Sequence, residues 1–202
     1  MKIRPQDLNQ RALHELFMSA VLPRPVAWVS TIGEEGINNL APFSCFTTLS
    51  LKPAIVCICI GWKRDGSKKD TLRNIEATKD FVIAVVNEEL AEAMNLTCAE
   101  YPPDVDEFRE ARLTPLTSEV VKAPRVAESP INMECRVFQI LKLGDAPSGG
   151  HLILGEVMMM HIKDALWSVD HIDHKALRAV GRLGQDLYCR TTDTFEMKRP
   201  VL

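Results

Sequence analysis

Apolar runs of strand length recur along the chain and are separated by short polar or turn-rich segments. They predict β-strands over residues 26–32, 54–60, 81–86, 131–143 and 152–162, and a further strand over Phe46–Leu51. The segment "GDAPSGGH" between the two longest runs is rich in turn residues, so it predicts a hairpin that joins them. The pattern therefore favours a protein built mainly from β-strands.

Apolar residues at helical spacing indicate a smaller number of helices. Residues 6–19 place Leu13 and Leu16 on one face, and Pro23 prevents this helix from continuing. Further helices are predicted over residues 68–78, 88–99, 104–111 and 174–182. Strands with interspersed helices could form a parallel doubly wound sheet. No glycine fingerprint follows the first strand, and several connections are too short for crossover helices, so an antiparallel barrel with helices outside fits better.

Length and composition are those of one ordinary domain, residues 1–202. The chain is 46% hydrophobic and 25% charged and has a net charge of -3, which disfavours nonspecific binding to nucleic acid or acidic membranes. No apolar run approaches the roughly 18 residues of a membrane span. The opening "MKIRPQDLNQ" has no apolar leader region, so we expect a cytoplasmic protein.

Cysteine and histidine spacing gives little support to a metal or disulfide site. The six cysteines include no CxxC pair, and Cys57 and Cys59 alternate on one predicted strand, so buried free thiols are expected. The segment "VDHIDH" fits either a metal cluster or a solvated helix start. We predict no metal cofactor.

Two segments carry the strongest chemical signals. Residues 38–48 combine Phe43 and Phe46 with amides and hydroxyls, a mixture that suits neither a core strand nor an ordinary surface loop. In "GWKRDGSKKDTLRNI", residues 61–75, the Ser67-x-x-Asp70 spacing predicts a capping box with Ser67 at the N-cap. A helix start flanked by lysines suits a phosphate, although such capped helices are also common without a ligand. Together the segments suit a flat, partly apolar ring system with a phosphate tail.

The motifs "PRPVAWVST", "GINNLAPFSCFTTLS", "KKDTLRNI", "FVIAVVN", "GGHLILGEV" and "GRLGQDLY" occur in that order. In this succession the chain resembles the flavin reductase-like family of FMN-binding split-barrel proteins. The resemblance covers residues 20–190, with residues 1–19 as an N-terminal helical extension. It implies a mainly β fold with flanking helices, an antiparallel Greek-key split β-barrel, which is usually a homodimer with two FMN sites at or near the subunit interface.

The resemblance also implies the residues of the cofactor site. Lys69 and Thr71 would contact the phosphate, while Asp70 would fix the backbone amides and Arg182 would close over the site. The implied cofactor-binding residues are Ser30, Thr31, Asn39, Ala41, Pro42, Phe43, Ser44, Thr47, Thr48, Lys69, Asp70, Thr71 and Arg182.

One departure from the family pattern bears on the reaction. Family members place a histidine beside the nicotinamide in a Gly-Asp-His element, whereas this chain has Gly149-Gly150-His151. His151 is therefore either the candidate residue at the nicotinamide or a plain turn histidine. Arg24 could meet a phosphate or pair with a surface carboxylate.

Three functions follow from the resemblance. The first is an NAD(P)H-dependent flavin reductase with FMN as cofactor, which passes electrons to free flavin, oxygen or a partner redox protein. The second is a flavoprotein electron carrier, similar to flavoredoxin, or a flavin-binding module without nicotinamide activity. The third is a split barrel that has lost its flavin and serves structurally.

Overall fold

The computed structural model describes residues 1–201. The α-helices are α1 Gln10–Ala20, α2 Asp70–Thr78, α3 Ala91–Leu96, α4 Glu107–Glu110 and α5 His174–Leu177, with 3₁₀ turns at Pro5–Asp7, Glu88–Leu90 and Asp164–Leu166. The strands are β1 Arg24–Pro25, β2 Ala27–Ile32, β3 Asn38–Phe43, β4 Phe46–Leu51, β5 Ala54–Gly61, β6 Asp80–Val85, β7 Pro115–Leu116, β8 Arg125–Val126, β9 Ile131–Leu143, β10 Gly150–Ile162, β11 Trp167–Ser168, β12 His171–Ile172, β13 Val180–Arg182 and β14 Tyr188–Arg190.

A seven-stranded antiparallel sheet in the order β3-β2-β6-β9-β10-β5-β4 forms the body of the molecule. Strands β3 and β4 are its two opposite edges, yet only Ser44 and Cys45 separate them in the chain. Two residues span at most about 10 Å, so the sheet must curl until its edges meet. Phe43 and Phe46, one on each edge, accordingly pack against the same apolar cluster. The sheet is therefore an antiparallel barrel whose edge strands are not paired with each other.

Alternate residues of the curled sheet fill its interior, as the two-residue period of a strand requires. The interior cluster includes Val29, Val56, Ile58, Phe81 and Ile153. Helix α2 adds Leu72 and Ile75 to the same cluster, and both are almost fully buried. Because α2 packs into the barrel core, the start of this helix is held against the N-terminal end of β3.

Residues 87–129 cover the outer face of β3, β2, β6 and the first half of β9. Trp28 and Leu40 pack there against Met94 and Phe108 of this segment. Two buried carboxylates fix its second half. Glu134 accepts hydrogen bonds from the backbone nitrogens of Glu119 and Val120, and Asp80 accepts them from Lys122 and Ala123. Buried carboxylates that accept several N–H donors hold a loop in one position.

The predicted strands match the structure closely. Residues 131–143 and Phe46–Leu51 are strands with the predicted bounds, and "GDAPSGGH" joins the β9–β10 hairpin. The expected mainly β, antiparallel fold is confirmed. The structure adds strand β3 over Asn38–Phe43, which the pattern had not indicated as a strand.

Several helix predictions were too long or wrong. Residues 88–99 form a 3₁₀ turn and the six-residue α3, and residues 104–111 contain only the four-residue α4. The predicted helix over 174–182 stops at Leu177, because Arg178 adopts a left-handed conformation (φ 50°) and residues 180–182 form β13.

The predicted capping box is also wrong. Lys69, not Ser67, is the N-cap of α2, and no side chain caps the helix. The Ser67 hydroxyl and backbone N–H instead bond Asp65 Oδ1 at 2.6 and 2.8 Å, which closes a local turn before the helix. The first-turn backbone N–H groups of α2 are therefore not satisfied by a capping side chain.

No helix within residues 1–201 is long and apolar enough to cross a membrane.

The close contact between β10 and β6 yields a stability prediction. A Cβ added at Gly155 would overlap the Phe81 ring in the barrel core, so Gly155→Ala must displace a buried side chain. We expect this substitution to lower the free energy of unfolding by about 1–3 kcal/mol. Denaturant titration measures the change. Gly61→Ala is the control, because nothing lies within 4 Å of its added Cβ; equal losses in both variants would contradict the packing argument.

Candidate functional site

A groove lies where β3, the start of α2 and the segment 97–101 meet. It consists of two adjoining cavities of about 180 and 330 Å³ that share Pro42, Phe43 and Cys98. The first cavity is lined by Asn39, Ala41, Gly61, Lys63, Lys69, Asp70, Thr71, Thr97, Ala99, Glu100, Tyr101 and Glu107, and the second by Val26, Ser44, Asn95, Arg182, Asp186 and Tyr188. The lysine-flanked helix start and the Asn39–Ser44 part of the 38–48 segment thus face one groove.

A polar network joins β3 to α2 at the inner end of the groove. Asn39 Oδ1 accepts hydrogen bonds from the hydroxyls of Thr71 (2.8 Å) and Thr31 (3.2 Å). Asn39 Nδ2 donates to Glu107 Oε1 at 2.6 Å, and Asn74 Nδ2 donates to the Thr31 hydroxyl at 3.1 Å. Thr31, Asn39, Thr71 and Glu107 are all buried, so their polar atoms depend on these bonds.

Glu107 is the residue that sequence reasoning missed. Its carboxylate accepts from Asn39 Nδ2 and from the backbone N–H of Leu40 at 3.1 Å, and only 6% of the residue is exposed. Burial raises the pKa of this carboxyl, although the hydrogen bonds from Leu40 and Asn39 oppose the change. The sequence contained no signal for it, because an acidic residue in the first turn of a helix is ordinarily solvated.

The start of α2 supplies positive charge to the groove. Asp70 is bound by Lys63 Nζ at 2.7 Å and by the Arg73 guanidinium, so its charge is compensated. The nearest carboxylate oxygen to Lys69 Nζ is Glu100 Oε1 at 4.0 Å, and the Lys69 side chain is about one-third exposed. Lys69 and the helix dipole together form a site that favours an anion.

Two arginines, Arg182 and Arg24, lie near the end of the groove that contains Ser44. Arg182 stacks over the Tyr188 ring, with 4.5 Å between the guanidinium carbon and the ring centroid, and donates to the Gln185 carbonyl. Arg24 is buried and pairs with no carboxylate among the described residues. It donates to Ser44 Oγ and to the carbonyls of Met18, Val21 and Leu183. Arg24 therefore fixes the bend that carries Ser44.

Four of the expected cofactor-binding residues do not line the groove. Ser30 is fully buried on β2, and Thr31 reaches only the network behind the groove, through its bonds to Asn39 and Asn74. Thr47 and Thr48 are exposed on the edge strand β4. The remaining expected residues are all in the groove wall.

The candidate nicotinamide residue, His151, also lies outside the groove. It is 5% exposed and packs edge-on against Trp62, with 4.9 Å between ring centroids. Burial lowers the pKa of this imidazole. A single chain therefore does not present His151 to a nicotinamide in the groove, because the tryptophan and the strand pairing enclose it.

A third cavity, of about 380 Å³, adjoins the groove at Asn39. It shares Asn39, Asp70 and Glu107 with the groove, and the charged groups of its remaining wall are the carboxylates of Glu34, Glu35 and Asp104 and the guanidinium of Arg73, which is paired with Asp70. This neighbouring space is therefore unfavourable to anions.

Comparison with known proteins defines the family. Residues 18–172 match the family described as "Flavin reductase like domain". The chain belongs to the flavin reductase-like family. An uncharacterized protein of Aquifex aeolicus is 37% identical over 199 residues, which cover 98% of this chain and all of the relative.

Solved structures agree with this family assignment. Nitrilotriacetate monooxygenase component B from Bacillus cereus superposes with a TM-score of 0.93 at 31% identity, covering 98% of both chains. A Shewanella frigidimarina protein with a split barrel domain superposes with a TM-score of 0.84 at 24% identity, covering 99% of this chain and all of the other, and this likeness supports the fold alone. The predicted split-barrel fold and flavin oxidoreductase class are confirmed.

Proposed function

We propose that this chain is an FMN-dependent NAD(P)H:flavin oxidoreductase. The observation that carries the proposal is the single groove in which the cationic start of α2 faces the Asn39–Ser44 segment. Lys69 and the Ala41–Phe43 segment would hold FMN, which would supply two-electron chemistry between a reduced nicotinamide as hydride donor and free flavin, oxygen or a partner redox protein as acceptor. No acid–base pair is needed for that transfer.

The groove fits FMN at both of its ends. Ala41, Pro42 and Phe43 provide an apolar wall, and Cys98 and Tyr101 line the same cavity. Lys69 and the N–H groups of the α2 start, which no side chain caps, provide an anion site for the phosphate. Backbone groups around Ser44 lie close to the apolar wall, where they can bond the polar edge of the ring system.

The charge beyond the phosphate position favours FMN over FAD. Glu34, Glu35 and Asp104 line the adjoining cavity, and its arginine, Arg73, is already paired with Asp70, so a second phosphate directed there would meet a wall of net negative charge. FMN ends with one phosphate and avoids this repulsion.

An electron carrier without nicotinamide activity is the second candidate. The enclosure of His151 by Trp62 favours it, since the residue expected beside the nicotinamide does not reach the groove. The absence of the family aspartate before His151 points the same way.

We also propose that the protein is a homodimer. The outer face of the sheet between β9 and β4 carries Leu141 and Leu143, which are 38% and 51% exposed, next to the partly exposed Leu152 and Leu154. Thr47 lies beside Cys57 on this side of the barrel. A contiguous apolar face of this kind is typical of a surface covered by a second copy.

Anaerobic mixing of the FMN-loaded protein with NADH or NADPH tests the proposed reaction. We expect the visible flavin absorbance to bleach within seconds with at least one donor. Bleaching by dithionite alone, with no response to either donor, would instead establish the electron carrier. A protein that leaves the fluorescence of added FMN unchanged would contradict both.

Lys69→Ala tests the phosphate position. We expect it to weaken FMN binding about tenfold and riboflavin binding much less, because riboflavin has no phosphate. Fluorescence quenching measures both dissociation constants. Lys68→Ala is the matched control, since Lys68 is paired with Glu76 and does not line the groove. An equal loss for the two ligands would refute the placement.

Sedimentation velocity tests the dimer. We expect a species of twice the 22.6 kDa chain mass, and we expect Leu141→Lys to shift it toward the monomer. Leu116→Lys, at a similarly exposed leucine of β7, should have no effect. A monomeric wild-type protein would overturn the assignment.

A further inference from the structure

The buried carboxylate of Glu107 lies on the wall that the groove shares with the acidic cavity. Its two oxygens accept from Asn39 Nδ2 and Leu40 N. No cation pairs with Glu107 among the described residues, although a buried carboxylate normally has one. The groups around Glu107 on neighbouring elements are Asn39, Leu40 and Asp70, of which Asp70 is acidic. Asp80 is buried with N–H donors in the same way, so what distinguishes Glu107 is that one of its donors, Asn39, also lines the groove.

The hydrogen-bond chemistry fixes a direction through the network. Both Glu107 oxygens accept hydrogen bonds, so the Asn39 side chain turns its NH₂ group toward Glu107. Its carbonyl oxygen then faces α2 and β2, where the hydroxyls of Thr71 and Thr31 both donate to it. Because the Thr71 hydroxyl donates its proton to Asn39 Oδ1, any further hydrogen bond that Thr71 Oγ1 makes must be one that it accepts.

We propose that Glu107 is a positioning residue that makes Thr71 accept a hydrogen bond from a ribityl hydroxyl of the bound flavin. This inference rests on the function proposed above. A phosphate dianion has no proton to donate at neutral pH, so Thr71 is a poor phosphate contact while its own proton is held by Asn39. Lys69, two residues earlier, takes the phosphate, and the polyol chain next to the phosphate supplies donors to Thr71. This revises the expectation that Thr71 binds the phosphate.

Glu107→Gln reverses the donor and acceptor roles along the network and keeps the number of side-chain heavy atoms, because an NH₂ group replaces one carboxylate oxygen. The carbonyl of the new side chain can still accept from Leu40 N, but its NH₂ group must donate to Asn39. Asn39 then turns its carbonyl toward α4 and its NH₂ group toward the two threonines. The Thr71 proton is released toward the groove, so a ribityl hydroxyl can no longer donate to Thr71 and must give up that bond or turn to accept from it.

Glu107→Gln should therefore affect the unfolding temperature and the affinity for flavins differently. Folding disfavours the ionised form of Glu107, as the direction of its pKa change indicates, so the neutral glutamine relieves that cost. We expect the ligand-free Glu107→Gln protein to unfold at the wild-type temperature or above it. A residue with only a structural role would lower the unfolding temperature and would weaken the binding of every ligand.

The experiment compares the binding of FMN, riboflavin and lumiflavin, which has the ring system without the ribityl chain. We expect Glu107→Gln to weaken FMN and riboflavin about tenfold and to leave lumiflavin unchanged. Glu110→Gln is the control, because Glu110 is an exposed glutamate on the same short helix. Unchanged FMN and riboflavin binding, or an equal loss for lumiflavin, would overturn the inference.

A double-mutant cycle with Thr71→Val tests the route of the effect. Valine removes the hydroxyl, so adding Glu107→Gln to Thr71→Val should produce no further loss of riboflavin binding. Additive losses would show that Glu107 acts elsewhere and would overturn the inference. The wild-type measurements separate the two proposals. If the wild-type protein binds none of the three flavins, the proposed function itself is wrong. If it binds them and Glu107→Gln binds them equally well, only the positioning role of Glu107 is wrong.

Discussion

The two-residue link between β3 and β4 is the constraint on which the rest of the structure depends. It joins the opposite edges of a seven-stranded sheet, so the sheet has to close on itself. Closure creates an interior that alternate side chains fill and an open end that α2 enters with Leu72 and Ile75. The same link carries Ser44 into the groove. The covalent geometry that shapes the barrel therefore also places the candidate site at its unpaired seam.

The polar residues at that seam form a connected set because the barrel excludes water from them. Thr31, Asn39, Thr71 and Glu107 come from four separate segments and satisfy one another. In a site of low dielectric such a network is rigid, since a broken bond leaves a buried group unpaired. The arrangement keeps β3 and the start of α2 at a fixed spacing, which is what a ligand held at both ends requires.

Most of the strands could be predicted from the sequence, whereas much of the detail of the site could not. Residues 131–143 are apolar enough, and bounded by turn residues clearly enough, to fix both ends of β9. Residues 38–43 contain two asparagines and a proline, which argue against a strand; Pro42 is tolerated because β3 is an edge strand. The lysines before α2 and the hydroxyl-rich segment predicted the two sides of the groove. Long-range contacts explain the failures: 68 residues separate Glu107 from Asn39, and Trp62 covers His151 in the single chain.

The hydrogen bonds of Arg24 determine when, during translation, the Ser44 bend can be completed. Its guanidinium holds the hydroxyl of Ser44 and the carbonyl of Leu183 at once, and Leu183 follows Arg24 by 159 residues. All seven strands of the barrel precede Leu183 in the chain, so they are available to pair before this clamp can form. Completion of the bend is thus a late event in translation, because Arg24 cannot bind the Leu183 carbonyl until the segment around residue 183 has left the ribosome.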